Sequence, residues 1–177
     1  VVENSGFDRG KSLSRLAWLN TTIGSDVNVP HGFQPVRRDG RTMHILGRTI
    51  SIGEDGFPSG ITSFFEPSNQ HLLNKGRQLL GGSFRFVIEK EDGSEMHLVP
   101  GPLRFVEENP SAVRWRVTHS GGGHELDCEG RLEFDGFMEY ALTLKSYSQS
   151  TVRDIRFEVP LKKECTPYMM GLHHEGG

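Results

Sequence analysis

His119 and His124 flank the run Ser120-Gly121-Gly122-Gly123. A four-residue loop there sets the two imidazoles face to face across a hairpin, half of a tetrahedral metal site. Glu125, the nearest further ligand, points to the opposite face from His124. The plainer account is an exposed pair at a mobile loop, and no metal is expected. His173-His174-Glu175 is a second polar cluster. Adjacent residues do not all reach one ion, and the spacing is not H-E-x-x-H.

Carboxylates are plentiful at Glu125, Asp127, Glu129, Glu133, Asp135 and Glu139. Glycoside hydrolysis needs two carboxyl groups about 5–10 Å apart across a sugar, and a sheet face gives such spacing by chance. Two of these acids have arginine partners in the expected register, which favours a solvated, salt-bridged face. Gly10-Lys11-Ser12 has three residues, not four, after Gly6, and no buried strand precedes it. A phosphate-binding loop is therefore not expected. Cys128 falls on an apolar face and reads as a small core residue. Together with Cys165 it makes two cysteines, too few for a structural zinc site or a disulfide framework; the alternatives are one disulfide and two buried thiols, and the thiols are favoured. Trp18, Phe33, Phe57, Phe64 and Phe65 stack on sugar rings if exposed and close the ends of a sandwich if packed; packing is favoured.

These residues must be held by strands. Gly 22 and Pro 9 make 31 of 177 residues, against a usual ~12%, which disfavours a helical bundle. The charge is mixed, 20 basic against 23 acidic with net −3, so neither disorder nor a nucleic-acid partner is expected. No apolar run approaches the ~20 residues of a membrane helix. One helix is expected over Ser12–Asn20, with Leu13, Leu16 and Ala17 on one face. Residues 24–42 read as loop and 66–83 are ambiguous between helix and strand. Elsewhere apolar residues alternate with polar ones: Met43/Ile45, Ile50/Ile52, Ile61–Phe65, Phe84/Phe86/Ile88, Leu103/Phe105, Val113/Trp115/Val117, Leu126/Cys128/Leu132/Phe134, Leu142/Leu144 and Ile155/Phe157/Val159/Leu161. That is an antiparallel β-sandwich of about ten strands.

The four-residue loop pairs Val117 with Leu126, Trp115 with Cys128, Arg116 with Asp127 and Arg114 with Glu129. A three-residue loop, Asp135-Gly136-Phe137, pairs Phe134 with Met138 and Leu132 with Tyr140, with Gly136 left-handed. The domain is expected to span 12–177 after a polar lead-in of 1–11. The start at Val1 and the end after the apolar Tyr168-Met169-Met170-Gly171-Leu172 read as an excerpt of a longer protein.

Four segments together carry a resemblance. They are Ser14-Arg15-Leu16-Ala17-Trp18-Leu19-Asn20, Glu129-Gly130-Arg131-Leu132-Glu133-Phe134-Asp135-Gly136, Asp154-Ile155-Arg156-Phe157-Glu158-Val159-Pro160-Leu161, and Tyr168-Met169-Met170-Gly171-Leu172 with Gly176-Gly177. The chain resembles the N-terminal β-sandwich region of bacterial proteins similar to glycoside hydrolase family 123. The resemblance implies a galactose-mutarotase-like sandwich or half of a related super-sandwich. It also implies an extracytoplasmic setting, no cofactor, and an N-acetylgalactosaminidase-type reaction on an Asp-Glu pair in a downstream barrel. No such pair is matched here, so no catalytic residue is carried over. The expected function is a non-catalytic accessory domain supporting that barrel through Tyr168, Met169, Met170 and Leu172. Trp18, His173 and His174 are the candidate carbohydrate contacts. The alternatives are an independent carbohydrate-binding module and a protein-interaction sandwich.

Overall fold

The computed structural model describes residues 27–167. The expected helix over 12–20, the Gly10-Lys11-Ser12 segment, Trp18, the Tyr168–Leu172 peptide, His173 and His174 lie outside the described residues. Those described form antiparallel sheets and no α-helix.

The first sheet is a meander in chain order. It comprises β1 (Arg37–Asp39), β2 (Thr42–Ile45), β3 (Arg48–Ile52), β4 (Pro58–Phe65) and β5 (Leu72–Gln78). A second sheet holds β7 (Val99–Pro100), β8 (Arg104–Glu108), β9 (Ala112–Gly121), β10 (His124–Glu133) and β11 (Met138–Ser146). Its order is β11-β10-β9, with β7 and β8 sharing the far edge of β9. Then β6 (Arg85–Lys90) pairs with β12 (Val152–Glu158) as a two-stranded sheet, and Glu89 of β6 also bridges Glu95. The ambiguous 66–83 stretch thus contains a strand, β5. Gly76 sits there because a Cβ would lie 2.3 Å from Thr62 Cγ2.

The two larger sheets meet face to face. Met43, Ile45, Ile50 and Ile52 of the first pack with Val113, Trp115 and Leu132 of the second. Trp115 is fully buried, and its indole Nε1–H donates to the Gly56 carbonyl at 2.8 Å. The Tyr140 hydroxyl donates to the same oxygen at 3.3 Å. One loop carbonyl therefore satisfies both polar ends of the core aromatics. A second cluster joins Phe57, Val117, Leu126 and Cys128.

Two hairpin registers differ from the expected ones, each by two residues. The β9–β10 turn is Gly122-Gly123, both left-handed at φ +58° and +75°. Two such residues make the primed turn whose twist matches a hairpin. The ladder therefore runs on to Gly121↔His124, and Arg116 opposes Glu129, not Asp127. In the β10–β11 hairpin the loop has three residues with Gly136 left-handed at φ +93°, as expected, but it is Phe134-Asp135-Gly136. Leu132 pairs with Met138 and Gly130 with Tyr140. Phe134 leaves the ladder and packs edge-on against Phe33, centroids 5.1 Å apart. An even shift keeps every side chain on its face, so alternation fixes the faces and leaves the register open.

Candidate functional site

The acidic residues of β10 lie on the outer face of the second sheet, each beside a cation. Arg116 Nε meets Glu129 at 2.6 Å, and Arg114 reaches the same carboxylate at 3.4 Å. Arg131 holds Glu133 at 2.6 Å. Lys145 on β11 bridges Glu125 at 3.1 Å and Asp127 at 2.6 Å. The Lys145 ammonium, then the Thr118 hydroxyl, hold the Asp127 carboxyl below its usual range. Asp135 accepts the Phe137 N–H at 2.8 Å and fixes its turn. A general acid needs the opposite shift, upward by burial. This face is a solvated ion-pair lattice.

The two histidines are buried, not exposed at a loop, because the longer ladder carries both onto the inner face. They are not opposite one another: His119 pairs with Leu126 and His124 with Gly121. His124 is hydrogen-bonded at both ring nitrogens. Its Nδ1–H donates to the Gly122 carbonyl at 2.8 Å, and its Nε2 accepts from Ser150 Oγ at 2.9 Å. It is a structural residue that ties the hairpin to the chain after β11. His119 stacks on Phe57, 11° from parallel, and its Nδ1–H donates to the Leu126 carbonyl at 3.3 Å. Its Nε2 is buried with no partner. No group of three potential ligands that could hold a metal ion occurs among the described residues.

His119 forms part of the wall of an open cleft of about 560 Å3 between the sheets. The 53–57 loop, β6 and the 95–100 segment line the rest, with Asp55, Arg85, Phe86, Glu95 and Leu98 among the side chains. Cys128 lies beneath, its thiol pushed up to about 12 mainly by burial. That thiol is no nucleophile. Both cysteines are free; Cys128 is buried as expected, whereas Cys165 is only half-buried.

A different feature lies on β12. Arg156 and Glu158 face one side in an ion-pair network with Glu89 and Asp154. On the other side run Ile155 and Phe157 and, past the end of the strand, Val159 and Leu161, 50%, 38%, 44% and 47% exposed. Phe157 touches Phe57, Phe84 and Tyr140 at centroid distances of 5.3, 5.7 and 6.1 Å. The stripe is thus continuous with the core yet half open. Tyr140, which Phe157 touches, is only partly buried, as are Leu142 and Leu144 further along β11.

Comparison with known families matches residues 36–177 to the description "glycoside hydrolase 123, third domain". The chain belongs to that family. Within glycoside hydrolase 123 the match is to the third domain, where the sequence resemblance pointed to an N-terminal one. It covers the whole described sandwich from Val36. No curated protein matches the chain. Of the residues singled out in the sequence, Glu125, Asp127, Glu129 and Glu133 of this glycoside hydrolase 123 domain are held in ion pairs, and Asp135 serves its turn. Of the aromatics, Phe57 is packed, as favoured above, whereas Phe33 touches Phe134 and is still 44% exposed. Sequence reasoning missed the cleft and the openness of the β12 stripe. Alternation marks an apolar face but not whether a partner covers it.

Proposed function

We propose that this glycoside hydrolase 123 domain is a non-catalytic accessory domain that docks on a neighbouring domain of its protein through the β12 stripe. The observation that carries the reading is the row Ile155, Phe157, Val159 and Leu161, each more than a third exposed. Isolated exposed apolar residues are ordinary, but a contiguous row, here Ile155 and Phe157 on β12 with Val159 and Leu161 just past its end, marks an interaction surface. Burying the remaining half of each side chain contributes about 1 kcal/mol. Beyond the intervening Lys162-Lys163-Glu164-Cys165-Thr166, the chain continues to Pro167 and the apolar Tyr168-Met169-Met170-Gly171-Leu172, which would add to the same contact. The ion-paired outer face supports a role without chemistry of its own.

The test is Ile155→Asp with Val159→Asp, made in the full-length protein and in the 177-residue chain. In the 177-residue chain the expected stability change is within about 0.5 kcal/mol per site, as for surface positions. In the full-length protein the expected result is a separate, earlier unfolding transition for this domain. An unchanged single transition there would contradict docking through the stripe.

A further inference from the structure

A sheet edge offers unpaired backbone groups to another chain, and proteins blunt their edges with short strands, bulges and unbalanced charge. Most edges here are blunted in those ways. β1 has three residues and β7 two. β5 is bulged against β4 and carries Lys75 and Arg77 with no acid. β8 and β12 are bulged as well, and the free side of β6 is taken by the segment after it, through Lys90 N–H to the Ser94 carbonyl and Met96 N–H to the Ile88 carbonyl. β11 has no such device. Its nine residues run along β10 without a register shift, from Leu132↔Met138 to His124↔Ser146, and no strand of the described residues covers its other edge. The Glu133 N–H donates to the Phe137 carbonyl, and the Tyr147 N–H to the Gly123 carbonyl. The odd-numbered residues therefore bond towards β10, and the N–H and C=O groups of Met138, Tyr140, Leu142, Leu144 and Ser146 point outward.

The sequence of β11 is complementary to itself. Laid antiparallel on a second copy about Leu142, the whole strand pairs, with Glu139 opposite Lys145 at both ends, Tyr140 opposite Leu144 and Ala141 opposite Thr143. The outward backbone groups of the two Leu142 residues then face each other. Centring the pair on Ala141 or Thr143 sets Glu139 against Thr143 or Tyr147 and loses both charge pairs. Arg131, across from Glu139 on β10, is taken by Glu133, and Glu139 has no ion pair among the described residues. Lys145 gives two of its three donors to Glu125 and Asp127, which leaves one for a further carboxylate. Such exposed pairs select a register more than they add strength; the strength comes from the ladder and from Tyr140, Leu142 and Leu144, partly buried in one copy. We propose that β11 pairs with β11 of a second copy of this chain across a twofold axis at Leu142, which joins two five-stranded sheets into one. This isologous contact goes beyond the docking reading and uses none of the Ile155, Val159 or Leu161 surface.

The test is sedimentation velocity of the full-length protein over a range of concentrations at low salt. The expected result is a monomer–dimer equilibrium. Glu139→Lys sets like charges opposite one another at both ends and is expected to raise the dimer dissociation constant about tenfold or more, with the unfolding midpoint nearly unchanged. Leu142→Cys, under mild oxidation, is expected to yield a disulfide that joins the two copies at position 142, because directly opposed residues bring their Cα atoms to about 5.5 Å. Thr143→Cys is expected to yield none, since the two positions lie diagonally across the ladder. A monomer at every concentration would overturn the proposal. So would a dimer indifferent to Glu139→Lys, or cross-linking through position 143 and not 142. A dimer that Glu139→Lys spares and Ile155→Asp with Val159→Asp abolishes would also overturn it, by placing the second copy on the stripe. A monomer leaves the domain-docking variants as informative as before, so the two readings fail separately.

Discussion

At the residue scale, Gly130 is the clearest case of one position governing the core. It lies opposite Trp115 in the β9–β10 ladder, and a Cβ there would stand 2.3 Å from the indole ring. Gly130→Ala must displace the tryptophan that donates to Gly56, so a loss of about 1–3 kcal/mol is expected in denaturant unfolding. A loss under about 0.5 kcal/mol would show that the ring has room to move. The thiols give a second prediction. With Cys128 raised to about 12 by burial, a thiol reagent at pH 8 should label Cys165 quickly and Cys128 only on unfolding. Equal labelling rates would contradict its place in the core. Asp127 gives a third. Its carboxyl is depressed in the fold by Lys145 and Thr118, so its contribution is present above the unfolded value near ~3.9 and is lost as pH falls through the folded one. Asp127→Asn should flatten that part of the stability–pH curve and leave the curve above pH 6 parallel to that of the parent chain. Gly130 was hard to read from sequence, since a glycine in a strand signals close approach without naming what approaches.

At the element scale, the faces of β9 and β10 were legible and their pairing was not. Val113, Trp115, Val117, Leu126, Cys128 and Leu132 are all buried, as their period-2 spacing predicts. The register turned on whether Ser120 and Gly121 belong to the turn, and only the backbone of Gly122-Gly123 decides that. Replacing Gly123 by Val forces a β-branched residue into the left-handed region, at about 1–2 kcal/mol. It also brings a Cβ 2.2 Å from Ser148 Oγ. The expected result is a destabilised chain with cross-strand contacts between His119 and Leu126 retained. Loss of those contacts with stability unchanged would show that the hairpin accepts the four-residue loop instead. The strand β5 was illegible for a different reason. Its residues are mostly exposed, so no buried face imposed a period on them.

At the scale of the whole molecule, the described sandwich is closed at the Trp115 core and open at one side. Trp115, Met43 and Ile52 are sealed between the two large sheets. The β6–β12 pair forms a sheet of its own, and Phe157 of its apolar stripe packs against Tyr140 of β11. Sequence alternation over Ile155, Phe157, Val159 and Leu161 anticipated a core face, which is what a complete sandwich would make of it. In the described residues it is about half exposed. The same four residues belong to one of the segments that carried the family resemblance, and the family match itself numbers this domain third.

Amide hydrogen exchange on β12 tests the docking account most directly. The strand's amides should exchange markedly more slowly in the full-length protein than in the 177-residue chain, with the Trp115 strand unchanged between the two. Equal exchange of β12 in both would contradict docking through the stripe.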